Sequence, residues 1–110
     1  MTDDELDKAL RALAHPARRA IMRVTATGPM PAGQVAAVLG IAPATASEHL
    51  RVMRGAGFAD FTVQGAKRLY RAVPARVGEV TAELVGRTSA PGAPGPARPE
   101  RRPDSAVGAP

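Results

Sequence analysis

Residues 34–55, "QVAAVLGIAPATASEHLRVMRG", constrain this chain's fold more than any other stretch, because they read as two short helices with a glycine between them. In the first helix Val35, Ala36, Val38 and Leu39 are available for burial, Gly40 supplies the turn, and Ile41 fills the core behind it. The second helix, 43–56, begins at Pro43, since proline suits a first helical position, where its missing N–H is not needed. Ala46, Leu50 and Met53 follow at i, i+4 and i+7 and so share one face. Ala44, Thr45, Ser47, Glu48, Arg51 and Arg54 are left toward solvent. Two helices joined through a tight glycine turn make a helix-turn-helix. The second helix of such a pair enters the DNA major groove with its N-terminal residues at base edges. A small, polar face suits that close approach.

The flanking segments fit the same plan. "TDDELDKALRAL" has Thr2 and Glu5 at capping-box spacing, acids in the first turn, and an apolar stripe of Leu6, Ala9, Leu10 and Leu13. "HPARRAIMRVTATG" restarts at Pro16, turns Ala17, Ala20, Ile21 and Val24 inward, and stops at Gly28. His15 is expected to cap this helix or pack beside it. After the second helix of the motif, Phe58, Phe61 and Val63 lead into "QGAK", and "RLYRAV" returns as a strand. This predicts a hairpin with a basic tip at 64–68, a wing, with Gln64, Lys67, Arg68 and also Arg71 placed toward phosphates or the minor groove. "PARVGEVTAELVG" predicts a last helix from Pro74 to Gly86, with Val77, Val80 and Leu84 on one stripe. The expected order is therefore α-α-α-α-β-β-α, mainly helical, over residues 1–89. "APGAPGPARPERRPDSAVGAP", 90–110, reads as a disordered Pro/Gly/Arg-rich tail.

Composition narrows the function classes. The chain has 110 residues and a net charge of +5, which favours a polyanionic partner. It contains no Cys or Trp, one Tyr and two Phe, so the core is thin. A second copy is expected to cover the stripes of the first and last helices: Leu6, Leu10, Leu13, Val77, Val80 and Leu84. Without cysteine there is no thiolate metal site, thiol nucleophile or disulfide. His15 and His49 are the only histidines, which argues against a metal centre. Met22, Met30 and Met53 read as core fillers. No apolar run is long enough to span a membrane and no signal segment is apparent, so a soluble cytoplasmic protein is expected. No nucleophile–base set or phosphate-cradling glycine loop is seen, so no enzyme and no cofactor are expected.

Over residues 5 to 87 the body resembles the ArsR/SmtB-type winged helix-turn-helix repressors. "ALAHPARRAIM" is similar to that family's second-helix opening, "QVAAVLGIAPATASEHLRVMRGAGF" to its central motif, and "GAKRLYRA" to its wing. The resemblance implies a homodimer joined through the first and last helices, bound to an inverted-repeat operator and repressing transcription. Metal-sensing members carry cysteines near the start of the first motif helix, or His and acidic ligands in the last helix. Here those regions read "MPAGQVA" and "RVGEVTAELV", so metal regulation through them is not expected. Glu48 has two readings of equal weight: it accepts from a cytosine amino group, or it pairs with Arg51. His49 either contacts DNA or, the favoured reading, packs and hydrogen-bonds within the motif. A protein-interaction module without DNA binding is the alternative function, and Glu48 is the feature that favours it.

Overall fold

The computed structural model describes residues 1–86, so the expected tail at 90–110 and the boundary at 89 lie outside the described residues. The order is α1 (Asp3–Leu13), α2 (Pro16–Ala26), α3 (Ala32–Leu39), α4 (Pro43–Gly55), β1 (Ala59–Gln64), β2 (Lys67–Ala72) and α5 (Pro74–Leu84). This is the expected order, mainly helical with one hairpin. The chain divides after Val80: Met1–Val80 forms one compact unit, and of the second the structure describes residues 81–86.

Local chemistry sets the helix ends. The Thr2 hydroxyl accepts from the Glu5 N–H at 3.1 Å while the Glu5 carboxylate accepts from the Thr2 N–H at 2.8 Å, a reciprocal capping box. The second of these bonds holds the Glu5 carboxyl below the usual carboxylate range. Pro16 and Pro43 stand in the first turns of α2 and α4. Gly40 ends α3 with φ 69°, a left-handed conformation that glycine takes without a Cβ penalty, and this turns the chain sharply into α4.

The core of Met1–Val80 is assembled from small residues around a few large ones. Ala9 and Ala12 of α1, Val35 and Ala36 of α3 and Ala46 of α4 are buried beside Ile21, Leu50, Met53 and Phe58. Alanine at the contacts lets helices approach closely, because interaxial distance follows side-chain size. Thr25 is buried too, and its hydroxyl donates to the Ile21 carbonyl at 2.7 Å. Met30, between α2 and α3, exchanges two backbone hydrogen bonds with Tyr70 at 3.0 and 2.9 Å. That bridge fastens the hairpin to the helices. Among the described residues no helix is long and apolar enough to cross a membrane.

Two expected stripes, those of α3 and α5, are corrected, and that of α1 is resolved into inward and outward residues. On α1 the alanines face inward, with Leu6 and Leu13 half-buried and Leu10 40% exposed. The inward arc is centred near Ala9 and Ala12. On α3, Val38 is 56% exposed rather than buried. Val35, Ala36 and Leu39 define its inward arc, and at 3.6 residues per turn Val38 lies roughly 100° from the centre of that arc. On α5, Val80 is 5% exposed and belongs to the subunit's own core, whereas Val77 and Leu84 are exposed. Arg76 donates to the Ala56 carbonyl at 3.0 Å, which holds the start of α5 at the end of α4 and directs Val80 inward. Val80 is therefore not part of a surface offered to a second copy.

Phe58 is the largest fully buried side chain. Phe58→Ala should destabilise the domain by about 3–5 kcal/mol, read as a lowered urea midpoint. A loss below about 1 kcal/mol would contradict this burial.

Candidate nucleic-acid interface

The inward stripe of α4 decides what its other face can do. Ala46, Leu50 and Met53 have zero exposure, which leaves Ala44, Thr45, Ser47, Glu48, Arg51 and Arg54 exposed on the opposite side. Thr45 and Ser47 lie in the first turns of the helix, where short hydroxyl side chains present both a donor and an acceptor. Glu48 and Arg51 form a bidentate ion pair at 3.0 and 2.5 Å. Of the two readings of Glu48, the pair with Arg51 is the one present. The pairing holds the Glu48 carboxyl below its ordinary range and raises Arg51. An exposed pair of this kind is weak and yields to a stronger partner.

The hairpin stands beside this face. β1 and β2 pair antiparallel with Gln64 opposite Lys67, Val63 opposite Arg68 and Phe61 opposite Tyr70. Gln64, Lys67 and Arg68 are exposed at its tip. Arg71 is exposed as well, and its guanidinium donates to Asp60 across the strands at 2.8 Å. Lys67 and Arg68 also edge an open cleft of about 500 Å³ against the first turn of α3, and no carboxylate lines it.

His49 is half-buried rather than presented at the surface. Its Nδ1 accepts a hydrogen bond from Arg18 Nε of α2 at 3.1 Å, and the His15 ring lies 6.1 Å away, centroid to centroid. His15 is the N-cap residue of α2, but its side chain makes no capping bond, so it packs beside His49 instead. Residue spacing gave no sign of this pairing, which arises because the start of α2 meets the middle of α4. Among the described residues no group of three or more metal-ligating side chains exists. Burial, then the charge of Arg18, then that of His15, pushes the His49 imidazole below its ordinary pKa, with Glu48 acting in the opposite sense.

Arg18 was missed at the sequence level, as was the convergence of two arginines on Phe61. The Arg54 and Arg68 guanidiniums lie over the Phe61 ring at 4.5 and 4.7 Å. Counting back from the two-residue turn would have placed Phe61 opposite Tyr70 and diagonal to Arg68, whereas nothing local signals Arg54.

Comparison with known proteins agrees with this geometry. The family described as "Helix-turn-helix domain" matches residues 13–60. The HTH-type transcriptional regulator Rv2034 of Mycobacterium tuberculosis is 32% identical over 78 residues, covering 71% of this chain and 73% of that protein. Among solved structures, an ArsR-like transcriptional regulator from Rhodococcus sp. RHA1 superposes with a TM-score of 0.68 at 23% identity, over 76% of this chain and 81% of its own. A homodimeric winged helix-turn-helix DNA-binding domain from Mycobacterium bovis superposes with a TM-score of 0.64 at 19% identity, over 89% and 97%.

The His49 geometry sets a pH dependence. A depressed folded pKa means that the unfolded chain binds the proton more readily. The stability this contributes is therefore full above the unfolded value of about 6.5 and is lost as pH falls through the folded one. Nuclear magnetic resonance should place the His49 midpoint below that of a free imidazole. The melting temperature of wild type should also fall relative to His49→Gln between about pH 7.5 and about pH 5.5. A raised midpoint would contradict the burial of His49 beside Arg18.

Proposed function

This chain belongs to the helix-turn-helix transcriptional regulators, and we propose that it acts as a winged member of the ArsR type. Acting in the cytoplasm as a homodimer, it binds an inverted-repeat operator and represses transcription. Each copy places α4 in a major groove and lays its hairpin along the adjacent backbone or minor groove. One observation carries this reading: the exposed face of α4 passes from small hydroxyl residues at its start to Arg54 at its end, beside the basic hairpin tip. Thr45 and Ser47, with Ala44 allowing close approach, read base edges. Arg54, Lys67 and Arg68 contact phosphates. Arg51 adds to them once Glu48 is drawn to a base, and His49 supports the helix from behind through Arg18.

Two features support the dimer. Leu10 is 40% exposed and Val77 38% exposed, large apolar side chains on helices that bury only alanines and one valine. The Mycobacterium bovis neighbour is described as homodimeric. Leu6 and Leu13 contribute their half-buried edges, and Leu84, 59% exposed, is a further candidate. Because the chain has no cysteine, sensing of metals or arsenite through thiolates has no part in this reading. The identity of any small-molecule effector is left open. The alternative of a protein-interaction module rests on the acidic Glu48, whose charge is countered by Arg51.

Binding experiments separate affinity from specificity. Lys67→Ala should weaken binding to operator and random duplex alike and make the logarithmic salt slope shallower by about one per subunit. Thr45→Ala or Ser47→Ala should cost roughly 1–3 kcal/mol on the operator and little on random DNA. Equal losses on both would show that α4 does not read bases. No effect of any of these changes would favour the interaction module.

Light scattering should give twice the chain mass at micromolar concentration. Leu10→Asp should shift the protein toward monomer and weaken operator binding with it, as expected of a two-fold interface. A monomeric wild type that still binds the full operator tightly would overturn the dimer.

A further inference from the structure

The arginines around the candidate interface fall into two groups. Arg51, Arg71 and Arg76 each pair with a carboxylate, Glu48, Asp60 and Glu79 respectively. Among the described residues Arg54 and Arg68 make no such pair, and both converge on one aromatic ring. The Arg54 guanidinium carbon lies 4.5 Å from the Phe61 centroid and that of Arg68 lies 4.7 Å from it. Both fall inside the range of about 6 Å over which a ring quadrupole attracts a cation. The ring is itself held in place, since Tyr70, its cross-strand partner, packs against it at 5.4 Å with a 57° tilt. Arg68 stands opposite Val63 and is therefore a diagonal neighbour of Phe61 on the same hairpin face.

This arrangement has two chemical consequences. A guanidinium that gives its face to a ring keeps its N–H donors, which all lie in its plane, for another acceptor. A guanidinium paired with a carboxylate gives up one or two of its five donors and has its charge countered. Two cations drawn to one ring also repel each other, and a polyanion relieves that repulsion. We propose that Phe61 is a positioning residue for nucleic-acid binding. It holds Arg54 of α4 and Arg68 of the hairpin as one two-cation clamp for backbone phosphate, so that helix and wing dock as a unit. The proposal rests on the DNA-binding function above and adds a residue that would touch no DNA itself.

The test is a double-mutant cycle on the full chain, using fluorescence anisotropy with a random-sequence duplex. Phe61→Leu keeps much of the apolar bulk and removes the ring; it should lower the melting temperature by several degrees and, assayed well below that temperature, weaken binding roughly five-fold. Phe61→Tyr keeps the ring and should bind like wild type. Arg68→Ala should cost less in the Phe61→Leu background than in wild type, the mark of coupling. Strictly additive losses with a wild type that binds would overturn the clamp and leave the DNA-binding function standing. A wild type that binds no duplex would overturn both. A readout without DNA is the proton spectrum: the δ-methylene protons of Arg54 and Arg68 should be shifted upfield by the ring and return to ordinary values in Phe61→Leu. If Phe61→Leu fails to fold, the wild-type spectrum decides, and unshifted arginine protons overturn the proposal.

Discussion

Everything this domain can present depends on the packing of one stripe, Ala46, Leu50 and Met53, into the core. Because these three side chains have no exposure, α4 cannot rotate about its axis without opening a void. The direction of Thr45, Ser47 and Arg54 is therefore a by-product of core packing. The same stripe runs directly into Phe58, whose backbone N–H donates to the Met53 carbonyl at 2.8 Å, so the hairpin starts from a point fixed by the helix. Met30 fixes the hairpin a second time through Tyr70. A thin core built of alanines still holds two separate binding elements in one orientation, because the few large residues sit where helix and hairpin meet.

Charge is distributed with similar economy. A net charge of +5 does not by itself direct a protein to any particular surface. Direction comes from which cations are already occupied. Arg71 spends its donors on Asp60, Arg76 on Ala56 and Glu79, and Arg18 on His49 and Ala12. Arg19 donates to the Leu13 carbonyl at 2.6 Å. These arginines fasten elements together. Among the described residues Arg54, Lys67 and Arg68 make no carboxylate pair, and they stand at the end of α4 and the tip of the hairpin.

Much of the architecture was legible because its signals are local. The Thr2–Glu5 spacing, Pro16, Gly40 and Pro43 each specify a helix end by their own backbone chemistry, and the structure has helices ending there. The outward face of α4 followed from a period that only one helix rotation satisfies. Burial was less legible wherever alanine competed with larger residues. On α1 the sequence showed one apolar stripe but not which part of it turns inward, and Ala9 and Ala12 take the inward arc because close helix approach favours them. Val38 is the residue misplaced by a preference for bulk. The site was legible in its residue types but not in its couplings. Arg18 with His49, and Arg54 with Phe61, join segments distant in sequence, and no spacing rule carries that information.

The joint between α4 and β1 bears on how this sequence can change over time. Gly57 has φ 88°, and a Cβ there would lie 2.9 Å from Arg76 Nε, the atom that donates to the Ala56 carbonyl. Any larger residue at 57 thus meets a strained backbone and an occupied space at once. Relieving the second problem means withdrawing Arg76 and loosening the start of α5. Position 57 is consequently tied to position 76 in mutational space: a side chain at 57 cannot be accepted while Arg76 stays where it is. A lineage that abandons the glycine must also find another way to anchor its last helix.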